Sequence, residues 1–197
     1  MSKIIEQIDK IESIFRLLNS LQIYTFGVFC AERQWLIYEK ASVGKQWDNK
    51  KLYREMLDAV WDWLLGKTVQ PQNYSKLCEE AIIENIDDDK DTFASEVSVS
   101  FYNLIFSIEN NIPEDTFQTI KHSLNAIDFF LLDFVLNIPA SISNDLLVDS
   151  HELVINEIGE EDYCIEVLLN PNFTEKQIKM LRERATGQSI LGNYWFE

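Results

Sequence analysis

The chain has 197 residues, 46% of them hydrophobic and 12% aromatic, with 33 Asp and Glu against 17 Lys and Arg and a formal charge of −16. A disordered acidic tail would lack the aromatics, so a globular fold is expected. A surface this acidic repels nucleic-acid phosphates and anionic lipid, and attracts basic proteins. Only six Gly and four Pro occur, which favours long helices over a turn-rich β-sandwich.

In chain order, Ile4, Ile5, Ile8, Ile11, Phe15 and Leu18 recur every three or four residues, the spacing of one helix face. A second helix is predicted from about Leu21 to Ser42, with Phe26, Cys30 and Ile37 facing inward and a break at Ser42-Val43-Gly44-Lys45. Asp48 is the expected N-cap of a third helix, its carboxylate accepting from a first-turn amide. There Leu52, Met56, Val60 and Leu64 form one stripe, and Tyr53, Leu57 and Trp61 a second beside it. Gly66 and Pro71 stop it. Ser75 then caps a helix carrying Leu77, Ala81, Ile82 and Ile83.

The acidic run Asp87 to Asp91 is read as a loop. Asp91 or Thr92 caps a helix with Phe93, Val97, Phe101, Leu104 and Ile108 in register. A long helix to Asn137 follows Pro113. Its residues Ile120, Leu124, Ile127, Phe130, Leu131, Phe134 and Val135 cover more than half the circumference, which places it at the centre of the core. After the loop at Pro139 and Ser141-Ile142-Ser143, one helix is expected from Asp145 to about Leu169, bent at Gly159. Thr174-Glu175-Lys176-Gln177 is a capping box that opens a last helix to about Thr186. No repeat and no linker interrupts the pattern. The fold class is therefore all-α, a bundle of about seven or eight helices, with residues 1–197 forming a single domain.

Cys30, Cys78 and Cys164 are odd in number and far apart, so buried reduced thiols are expected and not a disulfide framework. The first residues lack a basic segment followed by an apolar run and a cleavage site. The longest apolar stretch, Phe129 to Leu136, is interrupted by Asp133 and is far short of the ~20 residues of a membrane span. These features predict a soluble cytoplasmic protein.

Cys30-Ala31-Glu32-Arg33, followed by Leu52-Tyr53-Arg54-Glu55-Met56-Leu57-Asp58-Ala59-Val60-Trp61, resembles the bacterial family called domain of unknown function 416. That family pairs a Cys-x-Glu-Arg or Cys-Glu-Arg element with Tyr-Arg-x-x-Leu-Asp-x-x-Trp. The closing Leu181-Arg182-Glu183-Arg184 is also similar. The resemblance implies a small all-helical bacterial protein of the cytoplasm. It carries over no catalytic residue.

No motif for catalysis is complete. An EF-hand loop beginning at Asp87 fails, because its sixth position is Thr92 and its twelfth Ser98. His122 and His151 do not stand at metal-binding spacing, and a surface or capping role is expected for each. No catalytic residue, metal or cofactor is therefore assigned. Glu32, Arg33, Arg54 and Asp58 are the polar residues singled out, with Asp62 beside them on the third helix. Arg54 and Asp58 share a helix face at i,i+4, and the four are expected to form a salt-bridge network between two helices, or else the lining of a ligand pocket.

The stretch from His122 to Glu175 holds eleven carboxylates and not one Lys or Arg. This skew predicts a non-enzymatic interaction module that docks a basic partner protein, in the manner of an immunity protein or a nucleic-acid mimic. The expected docking carboxylates are Asp149, Glu152, Glu160, Glu161 and Asp162, gathered by the bend at Gly159. The alternative is a ligand-binding or enzymatic protein with its pocket around Glu32, Arg33, Arg54 and Asp58. No nucleic-acid or membrane partner is expected. Oligomeric state is open, a homodimer included, and acidity for solubility alone remains the plain alternative.

Overall fold

The computed structural model describes residues 2–42, 49–83, 92–136 and 145–187, without the side chains of residues 40, 41, 82, 83, 133, 134, 145 and 146. The expected Asp48 cap, the acidic loop, the Pro139 loop and residues 188–197 lie outside these residues. So do the side chains of Ile82, Ile83 and Phe134.

The fold is all-α. The described residues form nine α-helices: α1 (Lys3–Phe15), α2 (Ser20–Ala41), α3 (Lys50–Leu64), α4 (Tyr74–Ile83), α5 (Thr92–Glu109), α6 (Thr116–Phe130), α7 (Asp145–Ser150), α8 (Glu152–Leu168) and α9 (Glu175–Gly187). A 3-10 turn, Pro113–Asp115, leads into α6, and a π-helical turn, Leu131–Val135, follows it.

The ninth helix arises because the segment expected to run unbroken from Asp145 divides at His151. His151 is extended there, and its Nδ1 accepts a hydrogen bond from Leu153 N at 3.2 Å, so it acts as the N-cap of α8. Gly159, where a bend was expected, lies within α8 with open space around it.

One other cap differs from the sequence pattern and one follows it. The first amides of α4 are not capped by Ser75. The Glu109 carboxylate, at the end of α5, accepts from Tyr74 N at 2.7 Å and from the Ser75 hydroxyl. At α9 the Gln177 side chain reaches back to accept from Thr174 N at 3.0 Å, as the capping box predicts.

The core is one contiguous apolar cluster. Its most enclosed element is α2, not the helix after Pro113. From Ile23 to Gln34 every α2 residue is buried, and the helix packs on α3, α5, α6, α8 and α9. The α6 helix forms the most extensive pairing in the bundle, with α5, yet it leaves Gln118 and Lys121 exposed.

The close approach of α2 to α6 depends on Gly27. A Cβ there would overlap Thr116 Cγ2 and touch Leu104 Cδ1. A helix surrounded on all sides has no solvated face, so any polar residue along it must find its partners within the protein. That requirement builds the site described next.

Candidate functional site

The central turn of α2 reads Glu32-Arg33-Gln34, and all three are buried. Consecutive helical residues point about 100° apart. Glu32 and Arg33 therefore face different neighbours, and each anchors its own network. The four residues expected to act together are split between these two networks.

Glu32 faces α3. Its carboxylate accepts from Arg54 Nη1 at 2.5 Å, from Arg54 Nη2 at 2.8 Å and from Trp61 Nε1 at 3.0 Å. Arg54 also donates to Asp58, from Nε at 3.1 Å and from Nη2 at 2.9 Å. Its guanidinium lies over the Trp35 ring, 5.8 Å from the centroid. Asp58 in turn accepts from Arg182 Nη2 at 3.0 Å, and Asp62 from Arg182 Nη1 at 2.8 Å and Lys67 Nζ at 3.0 Å.

This chain of charges links α2, α3 and α9. Burial opposes the charge on Arg54, but its hydrogen bonds to Glu32 and then to Asp58 hold it ionised above its ordinary value. Hydrogen bonds from Lys67 and Arg182 pull the Asp62 carboxyl below its ordinary value.

Arg33 faces α8. Its Nε and Nη2 donate to one oxygen of Glu157, Oε2, at 2.8 and 2.6 Å, and its Nη1 lies 3.8 Å from Glu160. Glu160 is held bidentately by Arg184 of α9, whose guanidinium stacks 3.9 Å over Tyr163. One turn along α8, Glu161 is fully buried. It accepts from Gln7 Nε2 of α1 at 3.1 Å and from Cys30 Sγ of α2 at 3.8 Å.

Burial, and then the charge of Glu157, push the Glu161 carboxyl well above the ordinary carboxylate range, which favours its protonated form. Burial and the nearby Glu161 likewise raise the thiols of Cys30 and Cys164. Neither is a nucleophile, because the thiolate is the reactive form. The arrangement holds helices together. Among the described residues it contains no cluster of metal-ligating side chains.

The five carboxylates expected to dock a partner do not form one exposed patch. Asp149 accepts from the Ser2 hydroxyl and from Lys3 N, both at 2.9 Å, at the start of α1. Glu160 is bound to Arg184 and Glu161 is inside the protein. Asp162 is half-exposed and accepts from Lys10 Nζ at 2.5 Å and Gln7 Nε2 at 3.0 Å. Glu152 alone is fully on the surface. The helix period explains the split, since 161 falls on the stripe of Leu153, Glu157, Cys164 and Leu168 that faces the core.

Sequence reading missed Glu157, Gln7, Arg182 and Arg184 as network members. A signal was present. Glu157 and Glu161 interrupt the apolar stripe of α8, and Gln7 interrupts the Ile4–Ile11–Phe15 stripe of α1. Among the histidines, His122 Nδ1 lies 2.7 Å from Glu96, and His151 caps α8.

Fold and site define a helical bundle whose buried charged residues are engaged in networks between helices. The family description "Protein of unknown function (DUF416)" matches residues 10–192, and the chain belongs to that family. No curated protein and no solved structure matches the chain. Among the described residues, no helix is long and apolar enough to cross a membrane.

Proposed function

We propose that this protein is a non-enzymatic, acidic interaction module of the bacterial cytoplasm that docks a basic protein partner. The observation that carries this reading is how the arginines are used. Four of the five, Arg33, Arg54, Arg182 and Arg184, are consumed in ion pairs between helices. Glu6, Asp9, Glu12, Glu114 and Glu166 stand exposed without a cation among the described residues. These arginines are committed to holding helices together and neutralise none of the five carboxylates, while lysines such as Lys51 and Lys179 remain at the surface. Such a surface steers a basic partner through long-range attraction, as an immunity protein or a nucleic-acid mimic would.

The alternative is a ligand-binding or enzymatic pocket at Glu32, Arg33, Arg54 and Asp58. It has less support, because each charged head there is already engaged by another protein group.

The test begins with capture of a partner from the source cell, then measures its association rate with the purified protein at low and at physiological salt. The reading requires a basic partner and a rate that falls steeply as salt screens the field. A rate indifferent to salt would leave the acidity as a solubility device. Salt-sensitive binding to DNA or RNA near physiological ionic strength would also count against it.

A further inference from the structure

A surface cavity of about 390 Å³ opens where the α1–α2 corner meets the start of α6. Its apolar wall is made by Phe15, Leu18, Ile23 and Phe117, with the Phe15 and Phe117 rings packed edge to face, 5.7 Å between centroids. Three exposed charged residues complete the lining: Glu12, Arg16 and Glu114. Beside lining residues in sequence, Leu17 is 71% exposed, and Leu21 and Ile112 are also open to solvent.

The charges at this rim differ from those of the interhelical networks, which are paired. Among the described residues, neither Glu12 nor Glu114 has an ion-pair partner, and Arg16 is the arginine left without one. Glu6 and Asp9 are exposed carboxylates earlier in the same helix, which also carries the exposed Lys3 and Lys10. Tyr24, the neighbour of Ile23, has its phenol pushed up to about 12, by burial and then by the Glu114 charge. Apolar walls flanked by unneutralised carboxylates are complementary to a segment with an apolar face and cationic flanks.

We propose that this groove docks a short amphipathic cationic segment of a partner protein, its apolar side chains against Phe15, Leu18, Ile23 and Phe117 and its Lys or Arg side chains against Glu12 and Glu114. The proposal rests on the reading of the protein as an acidic docking module and gives that module its contact site. Arg16, one turn beyond Glu12, opposes such an occupant. Charge changes at Glu12 and Arg16 must therefore act in opposite directions.

The probe is a fluorescein-labelled peptide of alternating Leu and Lys clusters, compared with a Leu/Gln counterpart, titrated with the full-length protein and followed by anisotropy. The Leu/Lys peptide should bind, and the Leu/Gln peptide should bind more weakly. Glu12→Lys with Glu114→Lys should weaken Leu/Lys binding about tenfold, the sum of two exposed pairs turned to repulsion, and Arg16→Glu should strengthen it several-fold. All three side chains are exposed, so folding is not at stake in either variant. Equal binding by wild type, the double reversal and Arg16→Glu would overturn the groove. If that equality is accompanied by loss of binding on Glu152→Lys with Glu166→Lys, the docking reading survives and the groove alone fails. If the wild type does not bind the Leu/Lys peptide, both fail.

Discussion

Arg33 and Glu157 meet in the interior of the bundle, each side chain 2% exposed, with two guanidinium donors on a single carboxylate oxygen at 2.8 and 2.6 Å. The pair joins the most enclosed helix, α2, to α8. A buried pair of this kind is costly to break and need not be net stabilising, because both ions are removed from water. Glu157→Ala should destabilise the fold by about 3–5 kcal/mol, since it strands a buried guanidinium. Arg33→Met combined with Glu157→Leu should cost far less than either single change. Chemical denaturation of the three variants measures this. Additive losses would show that the pair is not the unit of stability.

Glu161 gives the protein a pH dependence of known sign. Its carboxyl is raised by burial and by the charge of Glu157, while the unfolded chain releases the proton near the ordinary value of 4.5. The stabilising contribution is complete below 4.5 and is lost as pH rises toward the raised value. Glu161→Gln stays neutral, so the variant should gain stability over wild type as pH increases from 4.5 to 8. Parallel pH–stability curves for the two proteins would show that Glu161 ionises normally.

His151 works in the opposite sense. Burial lowers its pKa from the ordinary 6.5, against a smaller raising effect of Glu152. Its Nδ1 must also stay unprotonated to cap α8. The unfolded chain takes up the proton first as pH falls below 6.5, so this contribution is present above 6.5 and lost toward the lowered value. Asn is a good N-cap and does not titrate. His151→Asn should therefore flatten the stability profile just below pH 6.5, as read from melting temperatures in a pH series.

Arg54 holds the outer network. Arg54→Ala leaves Glu32, 1% exposed, with Trp61 Nε1 still donating to it, and leaves Asp58 with Arg182 alone. Because Arg54 is itself partly exposed, the expected cost is about 1–3 kcal/mol. Arg54→Lys should recover little of it, because an ammonium cannot span both carboxylates as the planar fork does. Unchanged stability together with loss of a bound ligand would favour the pocket reading.

Packing at the centre gives two further outcomes. Phe130→Ala should cost about 3–5 kcal/mol, as the ring is fully buried against Phe93, 5.4 Å between centroids. Gly27→Ala should cost about 1–3 kcal/mol, because Thr116 is buried, β-branched and bonded to Ser107, and so yields little to a new methyl group. A stable Gly27→Ala protein would mean that α2 and α6 can separate.

The sequence by itself determined the helical class, the approximate position of every helix except for the break between α7 and α8, and the burial of Tyr53, Trp61 and Phe130. Those features follow from the 3.6-residue period of apolar side chains, which is local. It also placed Arg54 with Asp58, since i,i+4 neighbours meet on any helix. Tertiary structure alone decided which helix is central, because enclosure depends on what packs around α2 and not on the composition of α2 itself. It separated Glu32 from Arg33, sending one to α3 and the other to α8. It also turned Glu161 from an expected surface carboxylate into a buried acid whose protonated form is favoured. Charge looks alike in a sequence whether it faces water or the core; only the neighbours across the chain set the dielectric and the partners, and hence the role.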